Sequence, residues 1–246
     1  MLHVVTATNR HLYETQLDQM YRHRTELFVE GARWNLKVVD GREMDEGDDE
    51  RAVYLIAMDD DGRCCSSVRI RPVDDFSYLI DRMPEWVDRG HRALKEDPTV
   101  WEMARWINRS PRRKEASIGI LVGSIDYMLG KGVSQCISCP DEDKAAHAKK
   151  RGWRLRRLGS PRRYPEGGVA VATSLLVNRV ELARLREKYE CHHPVLLEIP
   201  PDAPWACLPV TVIDSAFREV APSSKSAAEM YAALDARLRA PPLAHG

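Results

Sequence analysis

A chain of 246 residues, 43% of them hydrophobic and 30% charged, is long enough for one large domain or two small ones with a closed core. Lys plus Arg and Asp plus Glu each number 37, so no global field points at nucleic acid or a membrane surface, and neither partner is expected. With no apolar run near the roughly 20 residues that span a bilayer, and no basic start or long apolar stretch in Met1-Leu2-His3-Val4-Val5, a cytoplasmic globular protein is expected.

Leu2 to Ala7 predicts a short strand, and Thr8 or Asn9 a cap for a helix carrying Leu12, Leu17, Met20, Tyr21 and Phe28. The acidic segment from Gly31 to Arg51 reads as a long loop, a type of connection that usually carries function. Ala52 to Met58 predicts a strand, Asp59-Asp60-Asp61-Gly62 a hairpin turn, and Cys64 to Pro72 the returning strand. Val100 to Ile107 reads as a further strand, and Glu115 to Leu129 as an amphipathic helix ended by Gly130 and Gly132. Strand Val133–Cys139, helix Glu142–Arg151, strands Trp153–Leu158 and Val169–Val177 and helix Arg179–Tyr189 follow. The order implies a mixed α/β sheet with an antiparallel first half. The region from about 201 to 246 reads as a C-terminal extension, with an amphipathic helix from Ser224 to Ala240.

The six cysteines form no disulfide framework. Cys136-x-x-Cys139 could join Cys191-His192-His193 around zinc, but the run Val133–Cys139 reads better as a buried strand in which cysteine is a small hydrophobe. No metal is expected.

Four fragments of the first 110 residues carry the distinctive chemistry. They are Arg24-x3-Phe28-x5-Trp34, Glu43-x-Asp45-x2-Asp48, Ser67-x-Arg69 and Glu102-x2-Arg105. Arg24 and Phe28 lie one helical turn apart, and in a regular strand Glu102 and Arg105 would face opposite ways. Singly, each fragment suits a solvated loop or an internal ion pair. In this order and spacing they resemble the acyl-homoserine-lactone synthases, the LuxI-type autoinducer synthases. Arg151-Gly-Trp153 and Leu158-Gly-Ser-Pro161 continue the resemblance, which covers residues 1 to about 190 and gives a first domain of 1–200. Met83-Pro84-Glu85-Trp86 and Trp106 depart from the family pattern and bear on the acyl pocket more than on the reaction.

The resemblance implies an N-acetyltransferase-like three-layer α-β-α sandwich with a central twisted mixed sheet and a V-shaped cleft. It also implies a reaction between S-adenosylmethionine, a cosubstrate with no further cofactor, and an acyl thioester. The amine attacks the thioester carbonyl, and the carboxylate then closes the lactone and expels methylthioadenosine. In those roles Glu102 is the expected base. Asp45 and Asp48 suit the ammonium and sulfonium charges. Arg69, with Arg24 or Arg105, suits the carboxylate, although Arg24 and Arg105 equally suit internal pairs with Glu43 or Asp48. Phe28 and Trp34 suit adenine stacking or a cation–π contact.

For the donor, Lys149, Lys150, Arg151 and Arg154 form a basic run able to meet an acidic acyl-carrier protein or the phosphates of coenzyme A. No Gly-rich pyrophosphate loop is evident around Arg113–Gly123, which inclines the reading slightly to the carrier protein. Ile118, Leu121, Val122, Ile137, Val171 and Leu175 are candidate acyl-pocket residues. An N-acyltransferase of another amine, without lactonisation, is the alternative.

Overall fold

The computed structural model describes residues 1–88 and 91–239. β1 (Leu2–Val5) leads through a 3-10 turn into α1 (Glu14–Arg24), which continues as a π-helical turn, Thr25–Gly31. A small hairpin follows, β2 (Val38–Val39) and β3 (Arg42–Glu43), then β4 (Val53–Met58) and β5 (Cys64–Pro72). After α2 (His91–Glu96) come β6 (Val100–Asn108), α3 (Arg113–Gly130), β7 (Gln135–Ser138) and α4 (Glu142–Lys150). Next are β8 (Leu155–Arg157), the hairpin β9 (Arg162–Arg163) and β10 (Val169–Ala170), and β11 (Thr173–Leu176). The chain ends with α5 (Arg179–Lys188), β12 (Leu196–Leu197), α6 (Val210–Val220) and α7 (Ala227–Arg239).

Eight strands make one mixed sheet in the order β12-β1-β4-β5-β6-β7-β11-β8. Among the described residues only β1·β12 and β6·β7 are parallel pairs. All six residues of β4 are buried, because helices cover both faces, as a near-continuous apolar strand requires. On one face Val53 and Leu55 pack with Ile120, Leu121 and Ile125 of α3 and Leu185 of α5. On the other, Tyr54 and Ile56 pack with Met20 of α1, Phe217 of α6 and Leu234 of α7. The architecture is the expected α-β-α sandwich.

The parallel β6·β7 pairing lasts only from Val100↔Gln135 to Glu102↔Ile137, whereas β6 stays paired with β5 as far as Asn108. The two strands therefore part just beyond Glu102, which is the vertex of the V.

Local details depart from expectation for identifiable reasons. Asn9 does not cap a helix; its side chain accepts from the Thr6 N–H and donates to the Val4 carbonyl, closing a loop before α1 begins at Glu14. The expected strand Val169–Val177 breaks in two, because the Val171 N–H bonds Pro140 O and only β11 joins the main sheet. In the acidic segment Asp40 and Gly41, both at positive φ, turn the β2–β3 hairpin. Near the C-terminus α6 precedes the expected helix, and residue 240, the expected helix end, lies outside the described residues. Cys136 packs on the α3 face and Cys139 on the opposite one, so Cys136-x-x-Cys139 does not converge. Among the described residues no helix is long and apolar enough to cross a membrane.

Candidate active site

The acidic segment folds back onto β5 and β6 and brings three arginines against three carboxylates. Arg24, at the end of α1, donates Nε to Glu43 at 2.5 Å and grips Asp48 with both terminal nitrogens at 2.8 Å. Arg69, on β5, meets Asp45 at 2.5 and 3.1 Å and Asp48 at 2.9 Å. Arg105, on β6, donates Nε to Glu43 at 3.2 Å and places Nη2 2.7 Å from Asp45. Tyr54 donates its hydroxyl to Asp48.

All six charged groups are buried or nearly so, and as paired charges they balance. Burial alone would raise Asp48 and Asp45. The Arg24 and Arg69 guanidiniums overcome it for Asp48, and Arg69 with Arg105 for Asp45, so both carboxyls sit below the usual range. Gly47 belongs to this cradle, because a Cβ there would stand 2.8 Å from an Arg69 terminal nitrogen.

Glu102 and Arg105 do not face opposite ways as a regular strand would require. Between the pairs Ser67↔Ile107 and Arg69↔Ala104 one strand advances by two residues and the other by three. The extra residue is a β-bulge in β6, where Arg105 takes φ +56°. It rotates Arg105 onto the face that Glu102 shares with Arg69 and Arg71.

Glu102 is buried and accepts the Tyr78 and Leu79 N–H groups at 2.8 and 2.9 Å. Burial raises its carboxyl above the ordinary value, against the pull of those amides and of Arg69. Tyr78 serves both groups, since its ring lies 4.6 Å beneath the Arg105 guanidinium. Arg71 braces the same loop by binding Asp49, Asp75 and the Phe76 carbonyl. Tyr78 carries no sequence signal of its own.

Phe28 and Trp34 stack with centroids 5.1 Å apart and planes 12° from parallel. Tyr164, from the β9–β10 hairpin, meets Trp34 edge to face at 6.1 Å. The Trp34 indole N–H is buried and faces the Tyr164 hydroxyl without a well-formed hydrogen bond.

The basic run lies apart from this cluster. Lys149, Lys150 and Arg151 are exposed, and Arg154 pairs with Glu181 at 2.9 Å. Lys149 lines a groove of about 580 Å³ with Glu142, Arg157, Val169, Val171 and Thr173; Lys150, Arg151 and Arg154 do not. Of the six candidate acyl-pocket residues, Ile118, Leu121, Val122 and Leu175 pack on the α3 face, Ile137 on the opposite face, and Val171 in the groove.

The family model of autoinducer synthases matches residues 8–185. The isovaleryl-homoserine lactone synthase of Bradyrhizobium diazoefficiens is 30% identical over 190 residues, which cover 76% of this chain and 85% of the relative. An acyl-homoserine-lactone synthase of Agrobacterium fabrum is 25% identical over 155 residues, 61% of this chain and 74% of the relative. Among solved structures, the CoA-dependent acyl-homoserine lactone synthase BjaI, with SAM and isopentyl-CoA, superposes with a TM-score of 0.72 at 27% identity, over 82% of this chain and 94% of that one. A match over most of the chain, together with a sandwich that opens beside a buried carboxylate, makes this protein an acyltransferase of the autoinducer synthase family, the acyl-homoserine-lactone synthases.

Proposed function

We propose that the chain acylates the amine of S-adenosylmethionine with an acyl group carried by coenzyme A and then closes the homoserine lactone. The observation that carries this reading is the β6 bulge, which sets a carboxylate and an arginine on one face where the sheet opens. Glu102 takes a proton from the methionyl ammonium, directly or through a water, and the freed amine attacks the thioester carbonyl. The carbon–sulfur bond breaks and the thiol leaves with a proton. The methionyl carboxylate next attacks its own γ-carbon, and the sulfonium leaves as neutral methylthioadenosine.

Arg24 spends every guanidinium nitrogen on Glu43 and Asp48, so its role is to hold the acidic segment in place. Arg105 is the most exposed of the three arginines and its Nη1 is uncommitted, which suits it to the cosubstrate carboxylate with Arg69 beside it. Asp45 is the most open of the three carboxylates and faces the cationic end, with Asp48 behind it. Phe28 and Trp34 stack on the adenosyl group.

The incline towards a carrier protein gives way to coenzyme A, because BjaI is CoA-dependent and its structure holds isopentyl-CoA. The groove offers Lys149 and Arg157, the latter paired with Glu142, over an apolar floor for that donor, and Lys150, Arg151 and Arg154 follow Lys149 in sequence as further cations.

Mass spectrometry of reactions with S-adenosylmethionine and panels of acyl-CoA and acyl-carrier thioesters tests the reading. Methylthioadenosine and an acyl-homoserine lactone should form from a CoA thioester. Product from carrier thioesters alone overturns the donor, and free thiol without methylthioadenosine overturns the reaction. Glu102→Gln should lower turnover by about 10²-fold or more with the fold intact; native turnover would remove Glu102 as the base.

A further inference from the structure

The β9–β10 hairpin touches both halves of the molecule. Its turn brings Gly168 so near the Tyr164 ring that a Cβ there would lie 1.8 Å from the phenol oxygen. The Tyr164 N–H bonds Gly168 O and the Gly167 N–H bonds Tyr164 O, which folds the ring back over the hairpin. The phenol donates to Asp141 at the start of α4. The ring packs against the cluster that contains Leu79 and Ile137, the first an amide donor to Glu102 and the second its register partner.

On its outer side the hairpin reaches the aromatic segment. Tyr164 sets its edge against Trp34, and Glu166 accepts the Asn35 N–H at 3.1 Å. That bond ties the backbone beside Trp34 to the hairpin. Arg33, just before Trp34, takes φ +62°. Phe28 packs against the core on the α1 side, whereas the Trp34 end of the stack meets Tyr164 and Glu166 of the hairpin. On the hairpin's other side Val169 lines the 580 Å³ groove.

We propose that Tyr164 is a positioning residue of the cosubstrate site: it fixes the plane of Trp34 and so sets the affinity for S-adenosylmethionine. The inference rests on the placing of S-adenosylmethionine at Trp34 given above. An edge-to-face contact of this kind corresponds to about a 2- to 12-fold change in affinity.

Calorimetric titration of S-adenosylmethionine into the full chain tests it, using native protein and the variants Tyr164→Leu, Tyr164→Phe and Trp34→Ala, each checked by thermal melting. Tyr164→Leu keeps apolar bulk in the inner cluster and should weaken binding about 2- to 12-fold. Tyr164→Phe keeps the ring and should stay within two-fold of native. In turnover, Tyr164→Leu should raise KM for S-adenosylmethionine and leave that for the acyl thioester within two-fold. If Trp34→Ala weakens binding and Tyr164→Leu does not, the positioning role is overturned and the site stands. An equal rise of both KM values, or failure of Phe to rescue, also overturns it by marking Tyr164 as merely structural. If Trp34→Ala itself binds normally, the placing of the cosubstrate is what fails.

Discussion

Two buried polar clusters lie on the same side of the sheet and solve the same problem differently. One is the set of Arg24, Arg69 and Arg105 against Glu43, Asp45 and Asp48. The other joins His3 on β1 to the Tyr13 hydroxyl at 2.9 Å and to Asp214 on α6 at 2.8 Å, with Arg218 on Asp214 at 2.7 Å. The first balances full charges out of water; the second lets burial push its histidine towards the neutral form, with Asp214 resisting. Charges in the first cluster fix a segment that is poor in apolar residues and has little core to anchor it. In the second, Ile213, Phe217 and Met230 already bury α6 and α7, so the polar pairing adds register to an attachment that apolar packing makes. Ions hold what hydrophobicity cannot.

That contrast can be broken first at Arg24. Arg24→Met leaves Glu43 and Asp48 without their closest cation, and the denaturation midpoint should fall by the equivalent of about 3–5 kcal/mol. A loss as small as that of an exposed pair would show that the cluster admits water. Asp214→Ala strands the His3 ring N–H and should cost about 1–3 kcal/mol in the same measurement. Acid separates the two clusters further. A buried histidine with a depressed pKa gives stability that is complete above its unfolded value of ~6.5 and is lost as pH falls below it. Each proton taken up only by the unfolded chain costs about 1.4 kcal/mol per pH unit. Depressed Asp45 and Asp48 give stability that is lost only as pH falls below the ordinary carboxylate range, ~4. Melting of His3→Gln beside native protein should therefore differ in slope between pH 6.5 and 5, and match there if His3 is not buried neutral. Smallest is Asp235→Asn, which cuts the exposed pair with Arg239 on α7 and should change stability by no more than about 0.5 kcal/mol.

Apolar periodicity made α3, β4, β5 and the order of elements legible, because each buries one face or both against a layer. The joining of the distinctive fragments was legible as well: Arg24, Glu43, Asp45, Asp48, Arg69 and Arg105 meet in one cluster. What the sequence hid is geometry that a single residue controls. The bulge at Arg105 reverses the facing of two residues three apart, and no residue type marks it, since arginine rarely adopts positive φ. Tyr78 and Tyr164 act through one backbone N–H and one ring edge, which spacing does not report. Helix α6 was visible in principle, since Val210, Ile213 and Phe217 repeat at helical spacing between Pro209 and Pro222, but its eleven residues give the period little length in which to show.

The His3–Asp214 contact spans 211 residues of chain. Its consequence is temporal. β1 is made before every other described strand, yet its parallel partner β12 and its buried histidine's carboxylate come more than 190 residues later. Contacts of that separation form late, because closing so long a loop is entropically unfavourable until other structure has shortened it. A nascent chain that has emerged only as far as α5 would keep its opening strand without a neighbour on one edge, and the apolar side of Tyr13 and Met20 without Phe217. Pairing of β12 and docking of α6 and α7 thus complete the surroundings of β1 only after the rest of the sheet has been made.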